Sequence, residues 1–124
     1  KAAAYASERA VWGAPIGTHQ GVAHPLAEAK IELELARLMT QKACALYDAG
    51  VPGAGEASNM AKYAAAEAAI KCVDRAIQAH GGMGVSQDTP LASLYAQARL
   101  LQIADGPDEV HRRSVARREL ARWR

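Results

Sequence analysis

The sequence predicts an all-α fold, an up-and-down four-helix bundle with an additional short helix. Three observations predict it. Half of the residues are apolar while Phe is absent, and alanine, the best helix former, is abundant. Apolar residues recur every three or four positions over long stretches, the period of a helix with one buried face. Gly and Pro mark short connections, and no run alternates apolar and polar residues as a strand would. At 124 residues the chain is one domain. It is long enough for a core that removes roughly two-thirds of the unfolded chain's surface from water.

The elements follow in order. Lys1 to Val11 reads as a helix, stopped by Trp12-Gly13-Ala14-Pro15. Thr18 is placed to cap the second helix. Pro25 removes one backbone bond, so this helix either restarts there or bends. From Leu26 to Ala49 the face Ala27, Ile31, Leu35, Leu38, Ala45 and Ala49 reads as apolar, and Lys30 and Glu34 pair at i, i+4. Gly50 ends the helix and Pro52 prevents its continuation. Val51 to Gly55 is a loop. The third helix runs from about Glu56 to His80, where Gly81 stops it. Met60, Ala64, Ala68, Cys72, Ala76 and Ala79 form a small-residue face, and Tyr63, Ile70, Val73 and Ile77 broaden it. Two apolar faces suit a central helix or an oligomer interface. The fourth helix, Pro90 to Ala104, turns Leu91, Leu94, Tyr95, Ala98 and Leu101 inward. The fifth, Pro107 to Trp123, opens on a proline, as helices often do.

Composition excludes several classes. The formal net charge of +2 names no partner by bulk electrostatics. Arg112, Arg113, Arg117, Arg118, Arg122 and Arg124 crowd the last helix. Clustered arginine is a nucleic-acid footprint, but Asp105, Asp108 and Glu109 stand at its start and no DNA-binding motif accompanies it. A solvated or subunit-facing surface fits better, and no nucleic acid is expected. Cys44 and Cys72 fit no metal or redox spacing and read as free buried thiols. His19 and His24 diverge on a helix, His80 reads as a helix-end residue and His111 as solvent-facing, so no metal site is expected. No apolar run approaches the ~18 residues of a membrane span, and no signal peptide is visible. Lys1 opens directly on a helix-like run, so the chain reads as a piece of a longer protein.

The informative stretch is Gln78 to Leu120. It holds Gln78-Ala-His-Gly81-Gly82-Met-Gly84, then Ala104-Asp105-Gly106-Pro107-Asp108-Glu109-Val110-His111-Arg112. Two glycine turns sit at helix ends, where unpaired N–H groups suit phosphates and developing anions, and glycine admits a ligand close to the backbone. The first turn lacks the spacing of a dinucleotide fingerprint and follows a helix. Its plainer reading is a helix stop. Asp105 has a plainer reading too, as the cap of the last helix, since Asp105 to Asp108 has capping-box-like spacing.

Gln78-x-x-Gly81-Gly82-x-Gly84 followed by Asp105-Gly106-x-x-Glu109-Val110-x-Arg112 resembles the C-terminal α-domain of the acyl-CoA dehydrogenase family. The wording Gly84-Val-Ser-Gln-Asp and Ala104-Asp-Gly-Pro-Asp-Glu-Val-His is most like the subgroup of family members 10 and 11. The resemblance covers essentially the whole chain. Glu8-Arg9 and Trp12-Gly13 resemble E-R-x-x-F-G, and Gln20 with Leu26-Ala27 resembles Q-x-x-x-x-x-L-A.

The resemblance implies an FAD-dependent oxidoreductase that desaturates an acyl-CoA thioester and passes electrons to an electron-transfer flavoprotein. It implies that Arg9, Gln20, Gln78, Gly81, Gly82 and, more weakly, Glu109 contact FAD, partly on a neighbouring subunit. Asp105 stands where the family commonly has the Glu that removes the α-proton, and Gly106 stands beside the substrate. A homo-oligomer, dimer or dimer of dimers, is implied, with a small helical domain and a β-domain before Lys1. The location would be cytoplasmic in a bacterium and mitochondrial or peroxisomal in a eukaryote. Several positions depart from the pattern. Val11 and Pro107 stand where Thr is frequent, Glu109 where Gln is, Trp12 where Phe is, and Val85 where an aromatic is. Asp105 is one methylene shorter than Glu, and some relatives carry the base on an earlier helix. A non-enzymatic helical assembly module is the alternative.

Overall fold

The computed structural model describes all residues, Lys1–Arg124. It contains α1 (Ala2–Glu8), a hairpin of β1 (Ala10–Val11) and β2 (Ala14–Pro15), and a 3-10 turn (Ile16–Thr18). Then come α2 (Gln20–Asp48), α3 (Ala54–His80), α4 (Gly82–Val85), α5 (Leu91–Leu101) and α6 (Asp108–Ala121). The all-α bundle stands, with α4 as a further single turn.

The expected first helix is three residues too long. It ends at Glu8, and the chain reverses in an antiparallel hairpin that pairs Ala10 with Pro15 and Val11 with Ala14. Trp12 and Gly13 make the turn at φ 55° and 82°. Two residues per strand are too few to show alternation. Thr18 does not cap α2: its hydroxyl donates back to Pro15 O at 2.7 Å, and His19 takes the N-cap position without a side-chain bond. The helix does not restart at Pro25 but runs through it from Gln20. The proline lies in the second turn, where one missing N–H is tolerated because few bonds precede it.

α2 and α3 form a long antiparallel hairpin. Its loop starts with Gly50 at φ 61° and a Val51 N–H donating to Leu46 O at 3.3 Å, the bond that closes a helix C-terminus around a left-handed glycine. The seam between them is alanine: Ala29, Ala36 and Ala43 of α2, seven apart, and Ala57, Ala61 and Ala68 of α3 are buried. Met39 and Leu46 flank the cluster of Ala43, Ala57 and Ala61. The face expected to point inward does the opposite, since Ile31, Leu35 and Leu38 are 60%, 62% and 55% exposed. On α5, Leu91 and Ala98 are buried as expected, whereas Leu94, Tyr95 and Leu101 are exposed.

α3 is the central helix, packed against α1, α2, α4, α5 and α6. Polar ties join it to its neighbours. Arg75 bonds Glu32 and Glu28 of α2, the Cys72 thiol donates to Ala29 O, and Arg122, just past the end of α6, reaches the buried Glu56. Both cysteines are free, but Cys44 is exposed rather than buried. No large side chain is fully buried. The chain removes roughly 56% of its unfolded surface from water, short of the two-thirds usual at this size.

Candidate functional site

The sequence-predicted residues gather at two stations along α3. The first is its C-terminal end. Gly81 stops α3 at φ 60°, ψ −139°, a conformation that favours glycine, while a Cβ at Gly81 or Gly82 would meet nothing within 4 Å. Backbone there is open to close approach. Gln78 lies exposed in the last turn of α3. Val22 and Pro25 of α2 line a cleft with Asp74, Gln78 and Ala79, so Gln20, the first residue of α2, enters from the same end. α1 reaches this end through Tyr5, whose ring stacks on His80 at 4.3 Å between centroids. Arg9 follows in extended backbone, its N–H donating to Tyr5 O and its carbonyl accepting from Ile16 N–H, both at 2.8 Å. Arg9, Gln20 and Gln78 are exposed. Beside them Trp12 is 90% exposed, its ring edge-on to His19.

The second station is the turn between α5 and α6. Asp105 and Gly106 are consecutive left-handed residues, at φ 53° and 94°. A non-glycine residue there carries about 1–3 kcal/mol of strain, least for Asp and Asn. Asp105 is not the cap of the last helix. α6 begins at Asp108, Pro107 occupies the N-cap position, and no side chain bonds the helix start. Asp105 is exposed.

The turn is fastened from below, through Gly106. Its carbonyl accepts from Lys62 Nζ at 2.9 Å and lies 3.1 Å from His111 Nε2. Lys62 also pairs with Asp108 Oδ1 at 3.2 Å, and Asp108 is buried. His111 Nδ1 lies 2.8 Å from Asn59 Oδ1, and the Asn59 amide donates to Gly55 O at 2.6 Å. His111 is therefore not solvent-facing. A side chain at Gly106 is disfavoured by its φ of 94° and by a Cβ that would come 3.2 Å from His111 Nε2. Glu109 is exposed and paired with Arg112 at 3.0 Å, and the Arg112 guanidinium lies 5.7 Å from the Tyr63 ring centre.

The two stations do not meet. Lys62 and Gln78 are sixteen residues apart on one helix, roughly 24 Å along its axis. Asn59, Lys62, Asp108 and His111 were missed in the sequence. Asn59 and Lys62 are one turn apart on α3, but nothing local ties them to a turn more than forty residues on.

The family described as "Acyl-CoA dehydrogenase, C-terminal domain" matches residues 1–120. The chain is 55% identical over 105 residues to acyl-CoA dehydrogenase FadE12 of Mycobacterium tuberculosis, covering 84% of this chain and 27% of that protein. It is 47% identical over 116 residues to acyl-CoA dehydrogenase family member 11 of Rattus norvegicus, covering 93% of this chain and 15% of that one. The solved structure of a candidate acyl-CoA dehydrogenase from Mycobacterium abscessus superposes with a TM-score of 0.94 at 42% identity, over 99% of this chain and 30% of that one. The FAD complex of PigA superposes at 0.93 and 29% identity, over 98% and 31%. This chain belongs to the acyl-CoA dehydrogenase family, as its C-terminal helical domain, and spans about a quarter or less of the curated relatives named.

Proposed function

We propose that the chain completes an FAD-dependent enzyme that desaturates an acyl-CoA thioester between its α and β carbons. A small helical domain and a β-domain would precede it and hold most of the cofactor and the acyl chain. The observation that carries the reading is the exposed carboxylate of Asp105, held in left-handed backbone at a turn fastened through Gly106. A carboxylate that neither caps a helix nor pairs with a cation is free to act on a ligand.

The residues of the first station fit FAD. Arg9, Gln20 and Gln78 are exposed, and Gly81 and Gly82 leave the backbone open. Arg9 would supply charge to the pyrophosphate, and Gln20 and Gln78 hydrogen bonds, while the glycines allow close contact. The distance between stations suits a division in which these residues serve cofactor held mainly by another subunit. Glu109 would lie at the second station as a weaker contact. FAD, when bound, supplies the acceptor for the β-hydride.

Asp105 takes the α-proton. The C–H bond electrons form the new double bond as the hydride leaves the β carbon, and Asp105 ends protonated. Gly106, the next residue, would lie beside the thioester. The shorter Asp demands strict placement of the α carbon, since proton transfer needs hydrogen-bond reach. Electrons would leave to an electron-transfer flavoprotein. The enzyme would be cytoplasmic in a bacterium and mitochondrial or peroxisomal in a eukaryote.

The test is Asp105→Asn in the full-length enzyme. Asn is nearly isosteric and tolerates left-handed backbone, so folding and flavin content should survive. Turnover and α-proton exchange with solvent should fall by at least ~10²-fold. Wild-type turnover would move the base to an upstream helix and leave the helical assembly reading for this chain.

A further inference from the structure

The Gly106 carbonyl is the one backbone group of the second station held by two side chains. Lys62 comes from the middle of α3 and His111 from the second turn of α6, and they reach the same oxygen at 2.9 and 3.1 Å. A carbonyl oxygen has two lone pairs, so this one is saturated. The two donors are themselves held. Asp108, buried, takes Lys62 at 3.2 Å. Asn59 Oδ1, whose amide donates to Gly55 O, lies 2.8 Å from the far ring nitrogen of His111, so both ring nitrogens face oxygens and both contacts are hydrogen bonds when each nitrogen carries a proton. Fixing the Gly106 carbonyl fixes the peptide plane between Gly106 and Pro107, one residue beyond the residue that carries the free carboxylate. That residue sits at φ 53° and its neighbour at φ 94°, backbone that persists only when the surroundings over-determine it.

We propose that His111 and Lys62 are positioning residues for Asp105, and that His111 does so through its single hydrogen bond to the Gly106 carbonyl. The proposal rests on Asp105 being the base. It explains how a carboxylate one methylene short is kept on target. A shorter side chain has fewer torsions with which to correct a misplaced backbone, so the backbone itself must be placed, and a misplacement of about 1 Å costs up to about 10²-fold in rate. Neither residue needs to touch the substrate.

The substitutions that test this differ in one bond. His111→Gln keeps an amide N–H at the reach of Nε2 and can still donate to Gly106 O. His111→Asn is too short to reach it, and His111→Leu has no donor. Each is made in the full-length enzyme, and kcat and KM are measured per bound flavin beside Asp105→Asn. Backbone amide exchange is followed over residues 104–108. The expected result is kcat reduced by tens of fold in His111→Leu and His111→Asn, KM and flavin content close to wild type, and kcat largely restored in His111→Gln. Amide exchange over the turn should quicken in Leu and Asn and not in Gln. A purely structural role would lower melting temperature and protein yield in all three without separating Gln from Asn at equal flavin content. Should His111→Leu fail to fold, the comparison of Gln with Asn carries the test alone. Wild-type kcat in His111→Asn, or equal losses in Gln and Asn, overturns the proposal while an inactive Asp105→Asn keeps the base assignment. Wild-type turnover in Asp105→Asn removes both.

Discussion

Gly82 and Gly84 lie two residues apart in α4, yet they answer to different constraints. A Cβ at Gly84 would come 2.6 Å from Ile77 O and 2.8 Å from Ile77 Cα, which is backbone of the central helix and cannot swing aside. A Cβ at Gly82 would meet nothing. Gly84→Ala should therefore destabilise the protein by about 1–3 kcal/mol through overpacking, read as a lower melting temperature. Gly82→Ala should leave that temperature unchanged or raise it, since alanine favours helix over glycine. Its cost should appear in the full-length enzyme as weaker flavin retention. Equal destabilisation by both would mean that Gly82 is packed as closely as Gly84. The sequence showed three glycines and no way to rank them, because their difference lies in what packs above each. The Asp105-Gly106 turn was legible as a turn with a carboxylate. That it is fastened from α3 was not, since Asn59, Lys62 and His111 come together only after α3 and α6 have packed.

At the scale of elements, most helix boundaries were legible to within a few residues, and the facing of α2 was not. Gly50, Gly81 and Pro107 mark boundaries through backbone chemistry, which is local. Facing depends on the partner. In α2 the large apolar residues Ile31, Leu35 and Leu38 suggested the core, but α3 offers it an alanine surface, and alanine on alanine lets the two axes approach closely. In an alanine-rich chain such a seam does not stand out. Polar ties across the same hairpin set its pH dependence. Glu32 is held below its ordinary value of 4.5, first by its hydrogen bond from Arg75 and then by the charges of Arg75 and Lys71, against the cost of burial. A carboxylate depressed in the folded state adds stability above its unfolded value and loses it as pH falls through the folded one. Glu32→Gln should lower the melting temperature by a few degrees near pH ~7, in keeping with a partly exposed pair. The gap between variant and wild type should close as pH drops below 4.5. A gap that stays constant into acid would assign the loss to packing rather than to charge.

For the whole molecule the telling quantity is surface. The chain exposes 8305 Å², whereas a compact monomer of its mass, 13.1 kDa, exposes about 6,400 Å². The excess, about 1,900 Å², exceeds the roughly 800 Å² per partner of a standard interface, and its residues have the character of a core. Ile31, Leu35 and Leu38 on α2, Leu100 and Leu101 on α5, and Trp123 after α6 are more than half exposed. An apolar groove of about 540 Å³ opens between α2, α3 and α6, over Met39, Met60, Tyr63 and Val115. Monomeric proteins seldom leave so much apolar surface in water. In the proposed enzyme other parts of the same protein would cover some of it, and a second copy would cover more, since two-fold dimers are the commonest assemblies. The isolated 124 residues have only the second route. Light scattering coupled to gel filtration at high micromolar concentration should give a mass above that of the monomer. Stoichiometric FAD should not travel with it, because the residues that fit FAD are exposed on one edge and enclose nothing. Leu35→Glu combined with Leu38→Glu should shift the mass toward the monomer without loss of helix, since neither side chain packs in the core. A strictly monomeric wild-type fragment would mean that the exposed leucines serve the missing domains alone.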